Sequence, residues 1–132
     1  MKLCPPRYAA ITLLVAAAAS PPAFAQKTCR IDSLRGATLP QGTSTKMHVV
    51  NDGSACVMAN YGEAADKTGP ADSGSITRQP THGKAEFVPP EARYTPEPGY
   101  VGDDEFEYEA FARARTQQDR LKLHVNVVVT AP

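Results

Sequence analysis

Two segments near the C-terminal end alternate apolar and polar side chains with a strict period of two, the pattern of half-buried strands. In DEFEYEAFARA (104–114), Phe106, Tyr108, Ala110, Ala112 and Ala114 share one face, and Glu105, Glu107, Glu109, Phe111 and Arg113 the other. In LKLHVNVVV (121–129), Leu121, Leu123, Val125, Val127 and Val129 alternate with Lys122, His124, Asn126 and Val128. A hairpin with Thr116, Gln117, Gln118 and Asp119 in its loop would set Arg115 against Arg120, Ala114 against Leu121, Ala110 against Val125 and Phe106 against Val129. A slip of one residue would turn one apolar set outward, so the parity of the pairing is specified. This register also sets Arg113 against Lys122, an unfavourable like-charge pair. Either a third strand supplies acid there, or the loop differs by one or two residues.

The remainder of the chain fits the same class. KMHVV (46–50) and ACVMA (55–59) flank the turn Asn51-Asp52-Gly53-Ser54, ITRQ (76–79) leads into Pro80-Thr81-His82-Gly83, and KAEFV (84–88) and EARYT (91–95) flank Pro89 and Pro90. Such Asn, Asp and Gly clusters supply the positive φ angles of tight reversals. CRIDSL (29–34) is a further strand, while GEAADKTG (62–69) has no apolar face and reads as a loop or single turn. No segment after residue 25 sustains a helical apolar period over three turns. The expectation is all-β, with seven to eight strands in a two-sheet sandwich.

Lys2 and Arg7, an apolar run from Ala9 to Ala19, Ser20-Pro21-Pro22 and then Ala23-Phe24-Ala25 follow the order of a secretory signal peptide. The apolar run is shorter than the ~20 residues of a spanning helix, so no membrane anchor is expected after cleavage. Residues 1–25 are therefore read as a signal peptide and 26–132 as one domain, periplasmic or extracellular. Of the three cysteines, Cys4 leaves with the leader, and Cys29 and Cys56 are expected to form a disulfide. Loss of Lys2 and Arg7 from a chain with 14 basic and 14 acidic residues leaves a slight acidic excess. That argues against a nucleic-acid partner, which calls for a basic stripe.

The stretch RYTPEPGYVGDDEFEY (93–108) carries Tyr94-x-Pro96-x-x-Gly99-Tyr100-x-Gly102-x-Asp104-x-Phe106-x-Tyr108, preceded by Pro80-x-His82-Gly83. This spacing resembles the signature of bacterial immunoglobulin-like and cadherin-like domains, and the similarity extends over residues 76–129. One copy is present, with no internal repeat. The resemblance implies an immunoglobulin-like two-sheet sandwich of about seven strands, used for structure, adhesion, or contacts with proteins or glycans. It implies no catalytic residue.

Asp103, Asp104, Glu105, Glu107 and Glu109 raise the question of calcium, which cadherin-like domains often hold between repeats. Calcium needs six to eight converging oxygens, whereas the three glutamates recur about 6.6 Å apart along one face of a strand. They read as a solvated row, and only Asp103 and Asp104 remain calcium candidates; no cofactor is expected. Asp104 is also placed to accept backbone N–H bonds from a turn. Tyr94, Tyr100, Phe106 and Tyr108 read as core and corner aromatics. His48, His82 and His124 are far apart, without metal-ligand spacing. Ser44, Ser54, Ser73 and Ser75 have no evident base beside them, and no Gly-x-Ser-x-Gly occurs. Phe111 and Val128 stand on the polar face of the hairpin and suggest a contact surface. The functional expectation is an exported, non-enzymatic module that binds an unknown protein or surface glycan. The alternatives are a calcium-dependent adhesion domain, and an inhibitor or hydrolase of the cell envelope.

Overall fold

The computed structural model describes residues 28–63, 66–113 and 118–132. The proposed leader, Ala114, Arg115, Thr116 and Gln117 lie outside these residues. All the described regular elements are strands: β1 (Cys29–Ile31), β2 (Thr43–Val50), β3 (Cys56–Ala59), β4 (Tyr61–Glu63), β5 (Thr68–Pro70), β6 (Ser73–Arg78), β7 (Gly83–Val88), β8 (Glu91–Pro96), β9 (Gly102–Arg113) and β10 (Gln118–Thr130). They form a five-stranded sheet in the order β1-β2-β10-β9-β6, a three-stranded sheet β3-β8-β7 and a two-stranded ribbon β4-β5. The all-β expectation holds, but the described residues form ten strands in three sheets, rather than seven or eight in two.

β9 and β10 are the antiparallel pair that their alternation demands, with the expected faces and a different register. Leu121 faces Ala110, Leu123 faces Tyr108 and Val125 faces Phe106, so each partner lies four residues earlier than expected. An even shift keeps every apolar residue on the core side. It also removes the like-charge clash: Lys122 now faces Glu109, and Arg113 faces Gln118. Gln118 and Asp119, expected in the loop, belong to β10.

Two further differences have local causes. The Asn51–Ser54 turn does not join paired strands, because β2 lies in the five-stranded sheet and β3 in the three-stranded one. β2 instead pairs in parallel with β10, Met47 against Val127 and Val49 against Val129. At the two ends of 62–69, read as a loop or single turn, short β4 and β5 pair through Tyr61–Pro70 and Glu63–Thr68. Each is three residues long, too short to display an alternation.

The two larger sheets share one apolar core. Met47, Phe106, Tyr108 and Val125 of the larger sheet and Ala92 and Tyr94 of the smaller are all fully buried. The Tyr94 and Phe106 rings lie 5.8 Å apart between the sheets, and Phe87 of β7 approaches Tyr108 at 6.1 Å. Cys29 on β1 is bonded to Cys56 on β3, so the expected disulfide also ties one sheet to the other. Cys56 faces Tyr94 across the smaller sheet.

Candidate functional site

The chain turns from β8 into β9 through Glu97-Pro98-Gly99-Tyr100, closed by a bond from the Tyr100 N–H to the Glu97 carbonyl (3.1 Å). Pro in the second position and Gly with φ 76° in the third meet the requirements of a type II turn. Asn51, from the crossing between the sheets, clamps this corner: its Nδ2 donates to the carbonyls of Glu97 (2.8 Å) and Tyr100 (3.0 Å). The Tyr100 hydroxyl donates to the Asp103 carbonyl.

Asp104, the second residue after Gly102, points inward and is buried. Its Oδ1 accepts from the Thr81 N–H (2.9 Å) and the Glu105 N–H (3.0 Å); its Oδ2 accepts from the His82 N–H (3.0 Å) and the Tyr94 hydroxyl (2.8 Å). A carboxylate offers about four lone-pair sites, so this one is saturated by the Pro80–Gly83 turn, its own strand and the opposite sheet. Burial, and then the bond to Asp104, push the Tyr94 phenol far above its ordinary range. Burial likewise raises the Tyr108 phenol, although its bond to Asn60 works the other way. That bond, Tyr108 Oη to Asn60 Oδ1 at 2.7 Å, is a second polar tie in the interior. These two groups serve the fold.

Asp103, one residue earlier, faces outward and is exposed. It stands directly across from Val128, which in turn faces His48. With Lys46, His82, Glu105 and Asn126 these two residues line an open cleft of about 620 Å³. The His82 ring stacks on Tyr100 with centroids 4.2 Å apart and planes 11° from parallel. One calcium candidate and one of the proposed contact residues are thus neighbours. Phe111, 37% exposed, lies well along β9, between Ser73 and Arg120, and takes no part in this cleft. Among the described residues no group of three or more His, Cys, Asp or Glu is placed to hold a metal ion. A calcium ion at the corner would have to take Asp104 from its four donors.

The glutamate row is a charge ladder with cations on both flanks. Arg78 reaches Glu105 (2.7 Å) and Glu107 (3.9 Å) from β6. From β10, His124 meets Glu107 through Nδ1 (2.8 Å) and Glu105 through Nε2 (3.2 Å), and Arg120 meets Glu109 (3.1 Å). The bond to His124 holds the Glu107 carboxyl below its ordinary value. His48, similarly half-buried on β2, lies 3.3 Å from Asp32. Lys46 and Asn126 were not singled out by the sequence pattern, because only the parallel pairing of β2 with β10 brings them together.

No protein-family model, curated protein or solved structure matches this chain.

Proposed function

We propose that the chain is an exported, non-enzymatic binding module on an immunoglobulin-like sandwich, and that the cleft at Asp103 and Val128 receives a protein or surface-glycan partner. The observation that carries this reading is the division of polar groups at the corner. Asp104 is saturated by the fold, while Lys46, Asp103 and Asn126 stand exposed beside the half-buried apolar side chain of Val128. A few directional polar groups around an apolar spot suit recognition of a polar surface.

The fold reading draws support from the strand order. Setting aside β1 and the β4-β5 ribbon leaves β2-β10-β9-β6 opposite β3-β8-β7, seven strands with the chain changing sheet between them. Two sheets around one core, an inter-sheet disulfide and the Tyr94–Tyr108 spacing all accord with the immunoglobulin-like class. The disulfide accords with the periplasm or the cell exterior as the place of action.

The test is capture from envelope extract, and binding to a glycan array, by the exported protein and its Asp103→Lys/Val128→Lys variant. The variant is expected to lose the partner while keeping the wild-type unfolding midpoint; undiminished capture would overturn the assignment of the cleft. Melting temperatures with millimolar calcium and with chelator are expected to coincide, and a rise in calcium would favour the adhesion-domain alternative.

A further inference from the structure

A second concavity lies away from the corner, where the segment between β1 and β2 passes over the ends of β3 and β10. Leu34 and Ala37 form one wall, Met58 another, and Leu121 and Leu123 the floor, around a volume of about 570 Å³. This lies within the roughly 300–1,000 Å³ of small-molecule sites. The wall is pinned: the Lys122 N–H donates to the Ala37 carbonyl (2.9 Å), and the Leu39 N–H to that of Gly36 (3.1 Å). Gly42 allows the close approach, since a side chain there would begin 2.4 Å from the Lys122 carbonyl.

Asn60, the buried polar side chain at its back, is engaged within the fold, while Thr38 and Tyr61 add hydroxyls to a lining that is otherwise mainly apolar. Asn60 donates to the Met58 carbonyl (3.0 Å) and the Pro90 carbonyl (3.2 Å) and accepts from Tyr108. The lip is different: among the described residues that line it, Arg35 and Lys67 are the charged ones, and both are exposed. In a chain with equal numbers of acidic and basic residues, a lip of one sign is a directional feature.

An apolar interior with a cationic lip defines one ligand chemistry. We infer that this groove binds a single-chain anionic amphiphile, its hydrocarbon chain against Leu34, Met58, Leu121 and Leu123 and its carboxylate or phosphate between Arg35 and Lys67. The site is separate from the corner cleft and stands whether or not that cleft binds a partner.

Isothermal titration calorimetry of the full protein with dodecanoate below its micellar concentration tests it, against acetate as the head group alone and dodecyl maltoside as a chain with a neutral head. Dodecanoate is expected to bind at one site and acetate not at all. Reversing both cations, Arg35→Glu with Lys67→Glu, is expected to weaken dodecanoate roughly tenfold or more and leave dodecyl maltoside unchanged. Both side chains are exposed, so the unfolding midpoint of this variant checks that the fold is intact. Amide resonance shifts with dodecanoate are expected at residues 34–38 and 58–62. No binding of dodecanoate, equal binding by the charge-reversed variant, or shifts confined to the outer face of β9 would each overturn the inference.

Discussion

Asp104 and Glu105 are adjacent carboxylates on one strand, and they differ in nearly every physical respect. Asp104 is sealed among four donors drawn from a turn, its own strand and the opposite sheet. Glu105 stands outside, half-exposed, with Arg78 and His124 near it. Removing the first leaves donors buried without partners, while removing the second leaves Arg78 and His124 exposed to water and still beside Glu107. Exposed ion pairs contribute about 0–1 kcal/mol, whereas breaking a buried charged network costs several times more. Along one β-strand, the direction of a side chain decides what its charge is worth.

The comparison is tested most severely at Asp104 itself. Asp104→Ala is expected to destabilise the domain by about 3–5 kcal/mol in denaturant unfolding, against less than about 0.5 kcal/mol for Glu105→Ala. Equal effects would break the distinction. The neighbouring covalent tie sets a scale. Cysteines 27 apart in sequence close a loop whose chain entropy corresponds to about 3–4 kcal/mol, so Cys29→Ser with Cys56→Ser should cost nearly as much as Asp104→Ala. Tyr108→Phe removes one buried donor and leaves Asn60 Oδ1 unmatched; about 1–2 kcal/mol is expected from the same measurement. The smallest effect belongs to the outer row. Because the Glu107 pKa is lowered on folding from 4.5, its contribution is present above that value and is lost as pH falls through the lower folded value. At this exposure it should stay below about 0.5 kcal/mol. Unfolding midpoints compared between neutral and acid pH should show the Glu107 contribution shrink in His124→Ala, with Arg78 and Lys122 still lowering its pKa.

The same contrast governs what could be read in advance. Inward and outward faces of β9 and β10 were legible because alternation is written residue by residue. Their register was not, since moving Leu121 from Ala114 to Ala110 preserves every face, and only the Arg113–Lys122 conflict hinted at an error. The glutamates were rightly placed in a row, yet Arg78, Arg120 and His124 come from neighbouring strands and left no local mark beside them. Asp104 was legible in part: acceptance of turn N–H groups was expected, the Tyr94 hydroxyl was not. The turn at Asn51–Ser54 looks the same whether it closes a hairpin or carries the chain to another sheet. Neither the corner cleft nor the apolar groove has a contiguous signature, because segments far apart in the chain build both.

The parallel pairing of β2 with β10 has a consequence for the order of events in folding. Beyond the short β1, which covers Met47–Val49, Thr43–Val50 finds its ladder partner in Leu123–Thr130, about 80 residues on in the sequence. A contact between such distant segments must overcome a long loop closure, which places this topology among slow folders. β9, paired with β6 on its other side, joins the same strand, so the larger sheet cannot close without Leu123–Thr130. The core between the two larger sheets therefore stays open on one side until Leu123–Thr130 has joined both β2 and β9.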